Sequence, residues 1–269
     1  MKKEVNLYFT VLRNAIKTSI RYKMDFFATI SYPVLFIILR VSIWKALYSS
    51  GLNQQIQDIN LQNMISYCIL SQFISAFVKS DVMLELNRGI LNGDICYKLL
   101  LPGNIISYEF GVALMGNILN FVYFLIVPFA FAITVYSLEI EANIIQIILF
   151  IIATFLAFIL HYFYSFIMGI SAVWLRNGFF LSNLDEAIFS LFSGVFVPLW
   201  FFPKILERLS RFLPFRYMLF EPIAILLGKV TGIDALRIIA IQILFAFGLG
   251  WLGCYVWKRA KYHMSIYGG

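Results

Sequence analysis

Residues 143–175, NIIQIILFIIATFLAFILHYFYSFIMGISAVWL, contain no Asp, Glu, Lys or Arg. About 20 apolar helical residues cross the roughly 30 Å hydrocarbon core of a bilayer, so a charge-free run of this length is expected to span it. Hydropathy marks four more clear spans at 26–48, 63–79, 104–136 and 233–257, and an interrupted one from 182 to about 228. Composition agrees, because 61% of the 269 residues are hydrophobic and 13% charged, against roughly 25% charged in a soluble domain. The expected fold is an all-α polytopic membrane protein, a single transmembrane domain over 1–269 with six transmembrane helices. To these the pattern adds an N-terminal amphipathic interfacial helix at 1–24 and a proline-broken re-entrant segment at 198–228, between spans five and six.

No stretch of 50 or more residues mixes charged and apolar residues as a soluble domain would, which leaves no room for an independent catalytic or nucleic-acid-binding domain. The net charge of +7 reads instead as the Lys and Arg excess that membrane proteins keep on the cytoplasmic side. Connections 49–62 and 137–143 carry no Lys or Arg and read as external. Thirteen of the 21 basic residues fall on the other side, among them Lys79, Arg88, Lys98, Arg176, Lys258, Arg259 and Lys261. Both termini are thus expected in the cytoplasm, and the lipid bilayer is the first partner. Cys68, Cys96 and Cys254 are odd in number and imply no disulfide framework.

The first 23 residues lack the short apolar core of a secretory signal. At about 100° per residue, Val5, Phe9, Leu12, Ile16 and Ile20 share one helical face, and Arg13, Lys17 and Arg21 lie in a separate polar sector. Such a helix rests in the headgroup layer against anionic lipid, with contact to a cytoplasmic partner a compatible second use.

Residues 201–232 hold Lys204, Arg208, Arg211, Arg216 and Lys229, too many for an ordinary external loop, and Pro198, Pro203, Pro214 and Pro222 lie in the same neighbourhood. Each proline removes a backbone donor. Two readings stand: a span from 182 to about 197 followed by short helices dipping back into the outer leaflet, or a kinked span followed by an amphipathic surface helix at 204–212. Non-helical backbone at membrane depth must be buried by protein or line a cavity, which makes the first reading a candidate gate.

Sites for chemistry are absent. Gly228-Lys229 is the one Gly-Lys pair and lacks the rest of a phosphate-binding loop. His161 and His263 are too far apart in sequence to suggest a metal site, and no Gly-x-Ser-x-Gly elbow exists. Charges within apolar runs cost at least about 2.5 to 3.5 kcal/mol at mid-bilayer unless paired or wet. Similar depth suggests two pairs, Arg40 with Glu221 and Glu109 with Arg176, whereas Lys45 can snorkel and Asp185 with Glu186 can cap a helix. A carrier would instead keep Glu109 and Glu221 unpaired as ion or proton sites.

The internal connection 79–98, KSDVMLELNRGILNGDICYK, predicts a short amphipathic helix. Ser80 or Asp81 can cap it, Leu86 and Ile90 are among its apolar contacts, and Gly89 or Gly93 can end it. It either projects for a cytoplasmic motor to grip or rests on the membrane surface.

The run Arg88-Gly89-Ile90 through Gly93-Asp94-Ile95, closing with Leu99-Leu100-Leu101-Pro102, resembles a stretch of the permease subunits of type-two ATP-binding-cassette exporters. IRYKMDFF at 20–27, WKALY at 44–48, SGVFVPLWFFP at 193–203 and LPFRY at 213–217 resemble that family's landmarks in the same order, and Gly103-Asn104 departs from it. The resemblance, strongest to a multidrug-type subgroup with paired permeases, implies an exporter subunit of the bacterial inner membrane moving an amphipathic or lipophilic substrate. It implies two ATPase subunits carrying ATP and Mg, a second permease, identical or not, and no cofactor on this chain. It assigns ATPase coupling to Glu85, Leu86, Arg88, Gly89, Ile90, Gly93 and Asp94, and the external gate to the segment holding Pro198, Pro203, Pro214, Glu221 and Pro222.

Overall fold

A computed structural model describes residues 23–50, 60–99, 104–136, 138, 140, 142–175 and 177–267. The expected N-terminal helix with Arg13, Lys17 and Arg21 lies outside the described residues, as does Arg176. The described residues form helices and no strands, because in hydrocarbon a helix satisfies every backbone polar group within its own segment.

In chain order the helices are α1 Lys23–Ser49, α2 Leu61–Val78, α3 Val82–Leu91, α4 Ile95–Leu99, α5 Ile105–Phe124, α6 Ala130–Val135, α7 Ile144–Ile170, α8 Ala172–Leu175 and α9 Gly178–Phe192. Then come α10 Lys204–Arg211, α11 Pro214–Met218, α12 Phe220–Leu226 and α13 Gly232–Tyr267. Among the described residues, five segments are long and apolar enough to cross a membrane: Ser31–Ser49, Leu61–Val78, Ile105–Tyr123, Ile144–Leu175 and Gly232–Met264.

Two boundaries differ from expectation for physical reasons. The run 104–136 is not one α-helix. A π turn at Leu125–Phe129 containing Pro128 separates α5 from α6, since proline lacks the N–H that an α-helix would use and a wider turn relieves its clash with the preceding carbonyl. The expected fifth span is a 15-residue helix, α9, about 22 Å long and shorter than the hydrocarbon core. Its first turn is capped by the Asn177 side chain, which accepts from the Phe180 amide at 3.0 Å.

The four prolines beyond α9 start helices rather than kink one. Pro198 precedes a 3-10 turn at Leu199–Phe201, Pro203 precedes α10, Pro214 is the first residue of α11, and Pro222 lies in the first turn of α12. In a first turn the missing N–H has no intrahelical partner to lose. Gly194 (φ 82°) and Gly228 (φ 70°) supply left-handed turns on either side, which favour glycine because it lacks a Cβ.

The chain divides into two compact units, Met1–Phe77 with Leu114–Glu141, and Val78–Ala113 with Ala142–Gly269. In the first, Arg40 is buried on α1, and its Nη1 donates to Ser71 Oγ at 2.8 Å and to the Cys68 carbonyl at 3.5 Å. The ring of Phe73 stacks on Phe129 (4.3 Å) and lies tilted against Phe121 (4.5 Å), and Asn117 Nδ2 donates to the Phe77 carbonyl. Lys45 extends its ammonium to 5.2 Å from the Tyr136 ring centre.

The second unit is built around α7, against which α3, α11, α12 and α13 all pack. Ala153, Ala157, Phe158, Leu160, His161 and Ile170 of α7 are all buried, so over these turns the helix is enclosed around most of its circumference. Gln242 ties three helices together: its Nε2 donates to the Ala153 carbonyl of α7 at 3.0 Å and to the Tyr217 carbonyl of α11 at 2.8 Å. Tyr217 lies in a five-residue helix whose last carbonyls have no intrahelical donor, so the amide supplies one that the short helix lacks.

Gln242→Leu removes that donor while keeping an apolar fit. We expect it to lower the unfolding free energy in detergent by about 0.5 to 2 kcal/mol, the range for interhelical hydrogen bonds in membranes, and the unfolding midpoint with it. Tryptic cleavage in α10 and α11 should rise in parallel, and a wild-type midpoint and digest would exclude the tie.

Candidate functional site

α3 begins without a side-chain cap, contrary to the role expected of Ser80 or Asp81. The Asp81 carboxylate makes no capping hydrogen bond; its carbonyl accepts from the Glu85 amide at 3.0 Å. The Ser80 amide instead donates to His161 Nδ1 on α7 at 3.3 Å, and Ser165 Oγ lies 3.1 Å from the same nitrogen. A backbone N–H can only donate, so Nδ1 is the acceptor and the ring proton sits on Nε2. Beside it Lys79 Nζ donates to Glu186 at 2.7 Å and lies 5.0 Å from the Phe189 ring centre, both on α9. The entry to α3 is therefore fastened to α7 and α9.

Its exit is fastened to α5. Gly93, at φ 83°, ends the helix, whereas Gly89 lies buried inside it and ends nothing. After the short α4, Lys98 Nζ donates to Glu109 Oε1 at 2.7 Å, and Glu109 is fully buried. Tyr162 of α7 donates to the Ile106 carbonyl at 2.5 Å and meets Phe110 edge-on at 5.0 Å, which holds the first turns of α5 against α7.

Between these fastenings the helix is two-faced. Val82, Met83, Leu86, Asn87 and Gly89 are buried, while Asp81, Glu85, Arg88, Leu91, Asn92 and Asp94 are exposed and Ile90 is half-buried. The inward face meets α7 at Gly169, where a Cβ would stand 2.9 Å from Leu86 Cβ and 3.1 Å from the Met83 Cα and carbonyl oxygen. That is backbone against backbone, with no flexible side chain to give way. Gly178, the first residue of α9, is in similar contact with the Asn87 amide, whose Oδ1 would lie 2.9 Å from a Cβ.

The outward face presents Glu85 and Arg88 with Leu91 and Tyr97, the last 73% exposed. Desolvation by the surrounding protein holds the Glu85 carboxyl above the ordinary carboxylate range. Lys98 opposes this, Glu109 and Asp81 add repulsion, and Arg88 opposes it again. A cationic group brought up from outside would restore its charged form. Of the seven coupling candidates, then, Glu85, Arg88, Gly93 and Asp94 reach the surface, Ile90 is half-buried, Leu86 meets α7 at Gly169, and Gly89 is buried beside the Ile95 amide of α4.

The proline-rich segment forms a second cluster. Arg216 Nε donates to Glu221 Oε1 at 2.5 Å, Arg216 Nη1 donates to Ser210 Oγ at 3.3 Å and stands 3.6 Å from Glu207, and Arg211 donates to Glu207 at 2.7 Å. The Arg216 guanidinium also lies 5.0 Å from the Phe220 ring centre. Residues 217–227 are buried throughout, whereas α10 exposes Ile205 and the following Phe212 exposes 80% of its surface. α10 thus has an exposed face, whereas α11 and α12 are buried among the helices they pack against.

Glu109 and Glu221 therefore take Lys98 and Arg216 as partners, while Arg40 bonds Ser71 and the Cys68 carbonyl. Sequence reasoning missed Lys98, Arg216, Gly169 and Gln242. For Gln242 a signal existed, a lone amide in an apolar run, the kind of intramembrane polar residue that marks a contact. For Gly169 there was none, because its role rests on which helix crosses it.

Residues 34–266 match the model of a family described as ABC-2 family transporter protein. No curated protein matches the chain.

Lys98→Met leaves the Glu109 carboxylate buried without its ammonium. We expect a loss of about 1 to 3 kcal/mol in thermal unfolding, largely recovered in Lys98→Met with Glu109→Gln. Equal damage in the single and double variants would exclude the pair.

Proposed function

From its membership of the ABC-2 transporter family, whose membrane components are permeases without an ATPase site that work with ATPase subunits, we propose that this chain is the moving half-gate of an ATP-driven exporter. Two ATPase subunits carry ATP and Mg below it, and a second permease, identical or not, completes the path. The substrate is amphipathic or lipophilic, of multidrug type, and leaves the cell across a bacterial inner membrane in which both termini face the cytoplasm. α9 with α10–α12 makes an interrupted fifth of six spans, its short helices turned back into the outer leaflet as the external gate.

The observation that carries this reading is the seating of α3 on α7 through Gly169. A partner gripping Glu85 and Arg88 pushes on a helix fastened at both ends and lying against α7 with no compliant layer between. α7 in turn packs directly on α11, α12 and α13, and Gln242 links α7 to α11 through α13. Force applied at α3 reaches the proline-rich segment through two contacts. The rival reading, an ion- or proton-coupled carrier, needs carboxylates free to exchange ions, and Glu109 and Glu221 each hold a basic partner at hydrogen-bond distance.

Glu85→Ala and Arg88→Ala should each reduce co-purification of the ATPase subunit, or transport per ATP hydrolysed, by roughly fivefold or more, as the loss of an interface anchor implies. Both variants should still insert in the membrane at wild-type levels. Wild-type coupling in both would overturn the assignment of this face. Gly169→Val, which acts behind the face, should uncouple transport while leaving Glu85 and Arg88 in place; wild-type transport in that variant would remove α7 from the path.

A further inference from the structure

A cavity of about 500 Å³ opens where the start of α5 meets the last turns of α13; it adjoins the Lys98 and Ile106 contacts at the exit of the α3 connection and is separate from the proline-rich cluster. Its volume falls within the roughly 300–1,000 Å³ of small-molecule sites. Lys98, Lys258 and Lys261 line it, together with Asn104, Trp257 and Cys254. Lys98 is neutralised by Glu109 at 2.7 Å. Lys258 and Lys261, three residues apart and so on one helical face, have no acidic partner among the described residues. The Lys261 ammonium lies 5.6 Å from the centre of the largely buried Trp257 ring. The 20-residue α5 also directs its N-terminal end into the cavity, where Asn104 Oδ1 accepts from the Ile106 amide at 3.0 Å, so the helix dipole adds partial positive charge.

Two uncompensated ammonium groups and a helix N-terminus repel one another, and an anion between them relieves that repulsion. The depth of the cavity narrows the choice of anion. α13 has 36 residues, about 54 Å of helix, and exceeds the hydrocarbon core by several turns. Near its C-terminal end Trp251 stacks on Tyr255 at 6.2 Å, and the Arg259 guanidinium lies 5.5 Å from the Tyr255 ring centre. Exposed aromatics followed by basic residues mark a membrane–water interface. A basic cavity at that level, walled on one side by Ile105, Ile106 and the Trp257 ring, offers charge to a phosphodiester and apolar surface to the glycerol and first methylenes beneath it.

We propose that this cavity binds the phosphodiester headgroup of an anionic phospholipid, with Lys258 and Lys261 as its principal cationic contacts. Only the identity of the leaflet, the cytoplasmic one, depends on the orientation proposed above.

The test uses the purified full-length chain in detergent, without ATPase subunits, with phosphatidylglycerol and phosphatidylcholine titrated separately and bound lipid read by native mass spectrometry. Phosphatidylglycerol should be retained preferentially, and Lys258→Gln with Lys261→Gln should weaken its retention roughly 10- to 30-fold. Lys204→Gln with Arg208→Gln, the same charge change on α10, should leave it unaltered. In the wild type, phosphatidylglycerol should also slow maleimide labelling of Cys254, which lines the cavity, and not of Cys96, which is exposed elsewhere. Equal retention of the two lipids, no loss in the Lys258/Lys261 double variant, or an equal loss in the α10 control would each overturn the proposal. Full displacement of phosphatidylglycerol by inorganic phosphate would overturn the lipid assignment in favour of a site for free phosphate.

Discussion

At residue 169 the α7 backbone comes so close to α3 that the smallest added side chain would meet the Leu86 Cβ at 2.9 Å and the Met83 backbone at 3.1 Å. Small residues at helix crossings are the usual means of close approach in membranes, where apolar burial alone does not drive helices together. Here the approach joins a short polar-faced helix to a long apolar one. It sets how far α3 stands from the bundle, which of its residues face outward, and how stiffly a load on that outward face is received. Flexible side chains between the two helices would absorb displacement; direct backbone contact passes it on.

The connection carrying α3 is held the same way at both ends, by one polar contact inside the bundle and one ion pair nearer its edge. At entry the Ser80 amide meets His161 and Lys79 meets Glu186; at exit Tyr162 meets the Ile106 carbonyl and Lys98 meets Glu109. Most of these polar groups lie in or beside apolar spans, where an unpaired charge is expensive. Each found a partner from an adjoining turn or a neighbouring helix. The same economy operates in the proline-rich segment, where Arg216 reaches Glu221 five residues away and Glu207 nine residues back. A stretch that prolines keep from running as one helix becomes a series of short ones, each with a proline just before it or in its first turn and with its loose ends met by side chains such as Arg216 and Gln242.

Much of the fold was legible in the sequence because the bilayer imposes a length and a polarity on each span. The charge-free run at 143–175 became α7 and α8, and the expected span at 233–257 became the core of the longer α13. The amphipathic helix in the 79–98 connection followed from the spacing of Val82, Leu86 and Ile90, and its end at Gly93 from glycine's freedom at positive φ. Its start was misjudged because capping by Ser80 or Asp81 is a local rule, and a histidine eighty-one positions away supplied the contact instead. The basic partners of the two carboxylates were not read from the sequence for the opposite reason. Depth matching named Arg40 for Glu221 and Arg176 for Glu109; Arg176 lies outside the described residues, and the partners seen on the two carboxylates are Arg216 and Lys98, basic groups that short connections bring to them.

The sequence by itself determined that this is a multi-pass helical membrane protein, which runs of chain hold its long apolar helices, and that the 79–98 connection presents a charged, exposed helix face. Those follow from hydrophobicity and helical period, which act residue by residue along the chain. Tertiary structure alone decided that Gly169 seats this helix, that Gln242 binds three helices at once, and that Lys98, Lys258 and Lys261 line one cavity. Each of these depends on which surfaces meet, and a contact between residues far apart in sequence leaves no mark on the hydrophobic pattern of either.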